Sequence, residues 1–248
     1  MWLNNADQRL VDEFWQRCGE FETFPRNLER SLALALPVAL VKLPQLRLHN
    51  IEQWLQRRNV NFRFECESRV VRGCLVAFRG QGMIFVDGAD PDDERRFTLA
   101  HEIGHFLRDY WLPRRAAIEK YGDQIADVID GIRPPSVSER VYALLASTHI
   151  KVHTDLMERD QRLDDLSGDL WHIEGQADKI ALELLAPSDA VLATADVSGD
   201  TYSQREAELI RLLQVEFGLP GAIARSYGGS LLAKIGKGRS WLETIGLR

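Results

Sequence analysis

Positions 101–105 read His-Glu-Ile-Gly-His, and no other stretch constrains the fold of this chain as tightly. Two histidines four apart share a side-chain direction on an α-helix, where they stand about 40° apart around the axis and one turn along. Two neutral imidazole nitrogens facing one way can hold a zinc ion, and the glutamate between them is placed to take the proton of an activated water. The flanking residues supply the helix. Asp90-Pro91-Asp92-Asp93-Glu94 offers a capping residue, a proline at the first helical position and acids where the helix dipole favours them. Phe97, Ala100, Ile103, Gly104 and Leu107 put apolar or small groups on more than one side, which predicts a buried helix. His101 and His105 are thus expected as metal ligands, and Glu102 as general base and then general acid.

The residues before that helix read as a small antiparallel sheet. Residues 60–65, 70–78 and 83–86 have strand-like composition, and Arg79-Gly80-Gln81-Gly82 makes a natural hairpin turn between the last two. Further upstream, Leu10, Val11, Phe14 and Trp15 recur at helical spacing, residues 32–43 suit a strand, and residues 50–58 suit a short helix. Downstream, Ala177, Ile180, Ala181, Leu184 and Leu185 form the apolar stripe of a helix over 173–186, stopped by Pro187. Between the two helices lies a long polar insert, about residues 108–170, interrupted by Pro134-Pro135 and expected to be mostly helical. From Tyr202 the tail reads as two helices broken at Gly218-Leu219-Pro220. The expected architecture is α+β: a small antiparallel sheet on a mostly helical, zincin-like body carrying a long helical insert. Its expected parts are an N-terminal segment (1–59), a metallopeptidase domain (60–200) and a C-terminal helical segment (201–248).

A zinc site needs a third protein ligand. The metzincin pattern requires glycine three residues past the second histidine and histidine six past it, but Arg108 and Trp111 stand there. The thermolysin-like pattern instead places a glutamate on a later helix with an acid four residues on. Glu174 and Asp178 have that spacing, and Ala177 and Ala181 on the same side would let two helices approach closely. Glu174 is the expected third ligand, with Asp178 orienting a ligand histidine. Glu183, nine residues on, faces elsewhere. His172 and Tyr227 are candidates for a hydrogen bond to the tetrahedral intermediate. A second His-x-x-x-His pair, His149 and His153, has no glutamate after its first member and reads as a solvated helix face.

Taken together, these blocks resemble a known family. Residues 96–107, Arg-Phe-Thr-Leu-Ala-His-Glu-Ile-Gly-His-Phe-Leu, resemble the R-F-T-L-A-H-E-L-G-H-x-L signature of the ImmA/IrrE metallopeptidases. Met83-Ile84-Phe85-Val86-Asp87 is similar to the short strand that precedes that family's zinc helix. Residues 174–187 are similar to its E-x-E-A-N-x-F-A-x-x-L-L-M-P block, in which the first glutamate, here Glu174, binds the metal. The family's second glutamate is Gln176 here, its asparagine is Asp178 and its phenylalanine is Ile180. The resemblance covers about residues 60–112 and 170–235, including Phe217-Gly218-Leu219-Pro220. The first fifty residues and the insert lie outside it. It implies a regulatory protease, while the two imidazoles favour one zinc per chain, with manganese as the less favoured substitute. The substrate it implies is a protein partner, typically a helix-turn-helix repressor or an antitoxin, in phage, mobile-element or stress-response settings. The alternative is a zinc-binding partner of a toxin–antitoxin pair with little or no proteolysis.

Composition narrows the setting. The net charge is −6 with 27% charged residues, which disfavours general polyanion binding. The tail is basic over residues 219–248, but residues 222–232 carry only Arg225 as a charge, so a nucleic-acid partner is not expected. Cys18, Cys66 and Cys74 form no C-x-x-C pair and suit a reducing cytoplasm. Asp7, Asp12 and Glu13 stand where a secretory signal would be basic, and no apolar run is long enough for a bilayer, so no membrane partner is expected. Both ends of the insert are tied to the rim of the expected site, so it is expected to limit access.

Overall fold

The computed structural model describes residues 3–19, 23–145, 152–159 and 175–239. The N-terminal part holds α1 (Asn5–Cys18), α2 (Leu28–Ala35), β1 (Val38–Leu43) and α3 (Leu48–Gln56). The hairpin β2 (Val71–Phe78) and β3 (Gln81–Asp87) follows, then α4 (Asp92–His105), which carries the histidine pair. A single π-helical turn, Phe106–Trp111, runs from α4 into α5 (Leu112–Tyr121). A 3-10 turn (Asp123–Ile125) leads to α6 (Ala126–Ile129), and then come α7 (Val137–Leu145) and β4 (His153–Glu158). The chain closes with α8 (Gln176–Leu185), α9 (Ser188–Thr194), α10 (Tyr202–Val215) and α11 (Gly221–Lys234).

The fold is α+β, with a four-stranded sheet in the order β1-β3-β2-β4. Pairings β2–β3 and β2–β4 are antiparallel, whereas β1 joins β3 in parallel, so the sheet is mixed. Arg79 and Gly80 both have positive φ, 51° and 75°, as a two-residue turn in the sense of the sheet's twist requires. Strand residues alternate between two apolar layers. Leu75, Ala77, Ile84 and Val86 face the helical body, while Cys74, Val76 and Phe85 face Leu46, Leu48, Ile51 and Leu55 around α3. The body-side layer takes in α1, α2, α4, α8, α10 and α11, so residues from all three expected segments share one core.

Four readings of local structure are corrected. Residues 28–35 are helical; only the part after Pro37 is strand. Asn27 caps α2 through Arg30 N, and Leu28 and Leu32 are buried one turn apart, so a helical period underlies what read as a continuous apolar run. Residues 61–64 are not a strand: Phe62 and Phe64 meet edge-to-face and pack against the α3 layer, and Phe64 N donates to Glu52. Pro91 takes the N-cap position of α4 and offers no side-chain cap, while the Asp90 carboxylate accepts from Arg159 at 2.8 Å. His153 does not lie on a helix face. It opens β4, is buried and stacks on Tyr110. His149 lies outside the described residues. The insert therefore has helices but also returns a strand to the sheet.

Candidate metal centre

Helix α4 lies across the body-side face of the sheet, with Phe97, Thr98, Leu99, Ala100, Glu102, Ile103 and Gly104 all buried. Two close approaches set its position. A Cβ on Gly104 would come within 2.9 Å of the Ala177 carbonyl oxygen and 3.1 Å of Ala177 Cα, so α4 and α8 touch backbone to backbone. A Cβ on Gly73 would come within 2.5 Å of Glu102 Oε1, so β2 is bare where the glutamate lies against it.

The imidazoles converge as the helical phase requires. His101 Nε2 and His105 Nε2 stand 3.1 Å apart. Asp178 Oδ1, from the first turn of α8, lies 2.7 Å from His101 Nδ1, and Asp109 Oδ2 lies 2.7 Å from His105 Nδ1. A carboxylate at Nδ1 fixes the proton there, which leaves the Nε2 lone pairs for a metal. Asp155 Oδ1, on β4, is 3.4 Å from His105 Nε2, and His101, His105 and Asp155 offer ligand atoms all within 4.8 Å of one another. Donors 2.0–2.2 Å from a tetrahedral zinc stand roughly 3.3 Å apart, so this donor set fits the ion.

Charge leads to the same conclusion. Glu102 is fully buried, and neither carboxylate oxygen finds a hydrogen-bond partner among the described residues. Burial, and after it the charge of Asp155, pushes the Glu102 carboxyl well above the usual carboxylate range. Burial works against a charged His105, yet the hydrogen bond it donates to Asp109 and the charges of Asp155, Asp109 and Asp178 raise its pKa. Four carboxyls around two imidazoles form a site that is short of positive charge.

The other expected site residues are distributed as follows. Glu174 and His172 lie outside the described residues. Tyr227 is buried in α11, and its hydroxyl donates to the Ala186 carbonyl at 3.0 Å. Ala186 is eight helical residues past Asp178, about 12 Å along α8, so that hydroxyl serves the core. Glu183 accepts from Ser188 N at the end of α8. Asp109 and Asp155 were not expected as site residues. The phase that sets His105 one turn after His101 also sets Asp109 one turn after His105, so Asp109 was within reach of helical reasoning. Asp155 was not, because strand pairing brings it in.

Residues 58–128 match the family model described as Peptidase_M78, IrrE N-terminal-like domain, so this part of the chain is similar to the ImmA/IrrE metallopeptidases. The match takes in β2, β3, α4 and α5 and ends before β4 and α8. Searches among curated proteins and among solved structures find no match. The family supports a metallopeptidase type of function and implies protein substrates. Among the described residues, no helix is long and apolar enough to cross a membrane.

Proposed function

We propose that the protein is a zinc-dependent endopeptidase that cuts one particular protein partner, a helix-turn-helix repressor or an antitoxin. His101 and His105 hold the metal through Nε2, and Glu174 is its third ligand. Asp178 beside His101 supports that last assignment, because it brings the start of α8 to the site. Zinc held here supplies Lewis-acid polarisation of the scissile carbonyl and lowers the pKa of water. Glu102 accepts the proton of the attacking water and delivers it to the leaving amine. Asp178 and Asp109 keep the two rings in one tautomer and orientation through the cycle.

The observation that carries this reading is Glu102. A purely structural zinc site has no use for a carboxyl sealed beside its ligands with both oxygens unbonded, whereas a general base needs an oxygen free to take a proton. The test is incubation of the zinc-loaded protein with the repressor encoded beside it. Glu102→Gln is expected to slow cleavage by at least about a hundred-fold while leaving bound zinc unchanged. Equal cleavage by the two proteins would remove the base. No cleavage by either, with zinc bound, would favour the second reading, a zinc-binding partner of a toxin–antitoxin pair.

A further inference from the structure

Strand β4 fills the sheet edge beside the histidine pair. A peptide that adds to a sheet does so along an unpaired edge, through backbone hydrogen bonds. Strand β2 is the strand pressed against Glu102, since the space of a Gly73 side chain is taken by the glutamate. With β3 on its other side, β2 has one remaining edge, and the strand that fills it reaches His105. The chain's own β4 fills it, antiparallel, with Thr154 opposite Val76, Asp155 opposite Leu75 and Met157 opposite Gly73. Residues directly opposite share a sheet face, and Leu75 faces the body, so Asp155 points toward α4. Its Oδ1 ends 3.4 Å from His105 Nε2, a spacing that suits two ligands of one zinc.

The strand is also fastened. Arg159, just beyond it, donates to Asp87 at 2.7 Å and to Asp90 at 2.8 Å, which ties it to the loop before α4. Arg69 Nε donates to Glu158 at 2.9 Å across the start of β2. A carboxylate placed by chance beside Asp109, Asp178 and Glu102 would be repelled, and a shared cation removes that cost.

We propose that Asp155 is a displaceable fourth ligand. In the resting protein β4 takes the substrate's place on the sheet edge and Asp155 takes the position at the metal that catalysis needs open, so a partner must lift β4 before cleavage. The inference rests on the metal-centre reading above and adds the insert's part in it.

Cobalt(II) loaded in place of zinc tests this, with acetohydroxamic acid as the probe of an open coordination position. Wild type and Asp155→Ala should each bind one cobalt, with different visible spectra. The variant should bind acetohydroxamate at least about ten-fold more tightly. Asp155→Asn, which keeps the shape of the strand, should move in the same direction. Identical spectra and affinities in all three proteins would overturn the role of Asp155. Loss of cobalt from both variants would overturn its displaceability and make it an obligatory ligand. A wild-type protein that takes up no cobalt would instead defeat the metal-centre reading itself.

Discussion

Glu102 shows how a site can work against the stability of its own fold. An acid sealed from water without a donor is held in its neutral form or at a cost in free energy, and a mutation that removes the charge removes the cost. Metal-free Glu102→Gln is therefore expected to melt above the metal-free wild type, by about 2–4 °C for each kcal/mol recovered. A thermal scan in chelator checks this, and a lower melting temperature would mean that the carboxyl has a partner. The convergence of His101 and His105 was legible from the sequence, because helical phase is a local rule. Asp155 could not be read that way. It reaches the histidines only through the pairing of β4 with β2, residues far apart in the chain.

At the scale of elements, the contact of α4 with α8 decides whether the site assembles. Gly104 meets the backbone of Ala177, which cannot rotate away as a side chain can. Gly104→Ala should force the helices apart, cost about 1–3 kcal/mol and separate Asp178 from His101. Denaturant titration measures the first effect and zinc affinity the second; an unchanged midpoint would show that the helices can slide. The far end of α8 yields a pH prediction. Burial above all, with Asp189 adding to it and Ser188 N opposing it, raises the Glu183 carboxyl above its ordinary value. The folded protein then holds that proton more tightly than the unfolded chain, so the destabilisation is full above the raised pKa and fades as pH falls toward the unfolded value. Glu183→Gln should melt higher than wild type at pH 8, with the gap closing toward pH 4.5, and a gap independent of pH would contradict the assignment. Some elements were misread for a physical reason. Residues 32–35 were read as the start of a strand, yet they end a helix that Asn27 caps, and residues 60–65 have strand-like aromatics that serve as packing for α3. In the first case a local cap and helical period were overlooked, and in the second tertiary packing overrode composition.

Across the whole molecule, the sheet divides two apolar layers, and the layer that carries the site is the one that joins the N-terminal helices, α4, α8 and the C-terminal pair. Side chains from α4, the turn after it, β4 and α8 converge on one point, so metal bound there would tie together parts of the chain that meet only on folding. A ligand that binds the folded state alone stabilises it in proportion to the logarithm of its excess over Kd. The most direct test of the metal centre is zinc content by elemental analysis of purified wild-type protein and of His101→Ala/His105→Ala. The account predicts one zinc per chain in the first and almost none in the second; undiminished zinc in the double variant would contradict it.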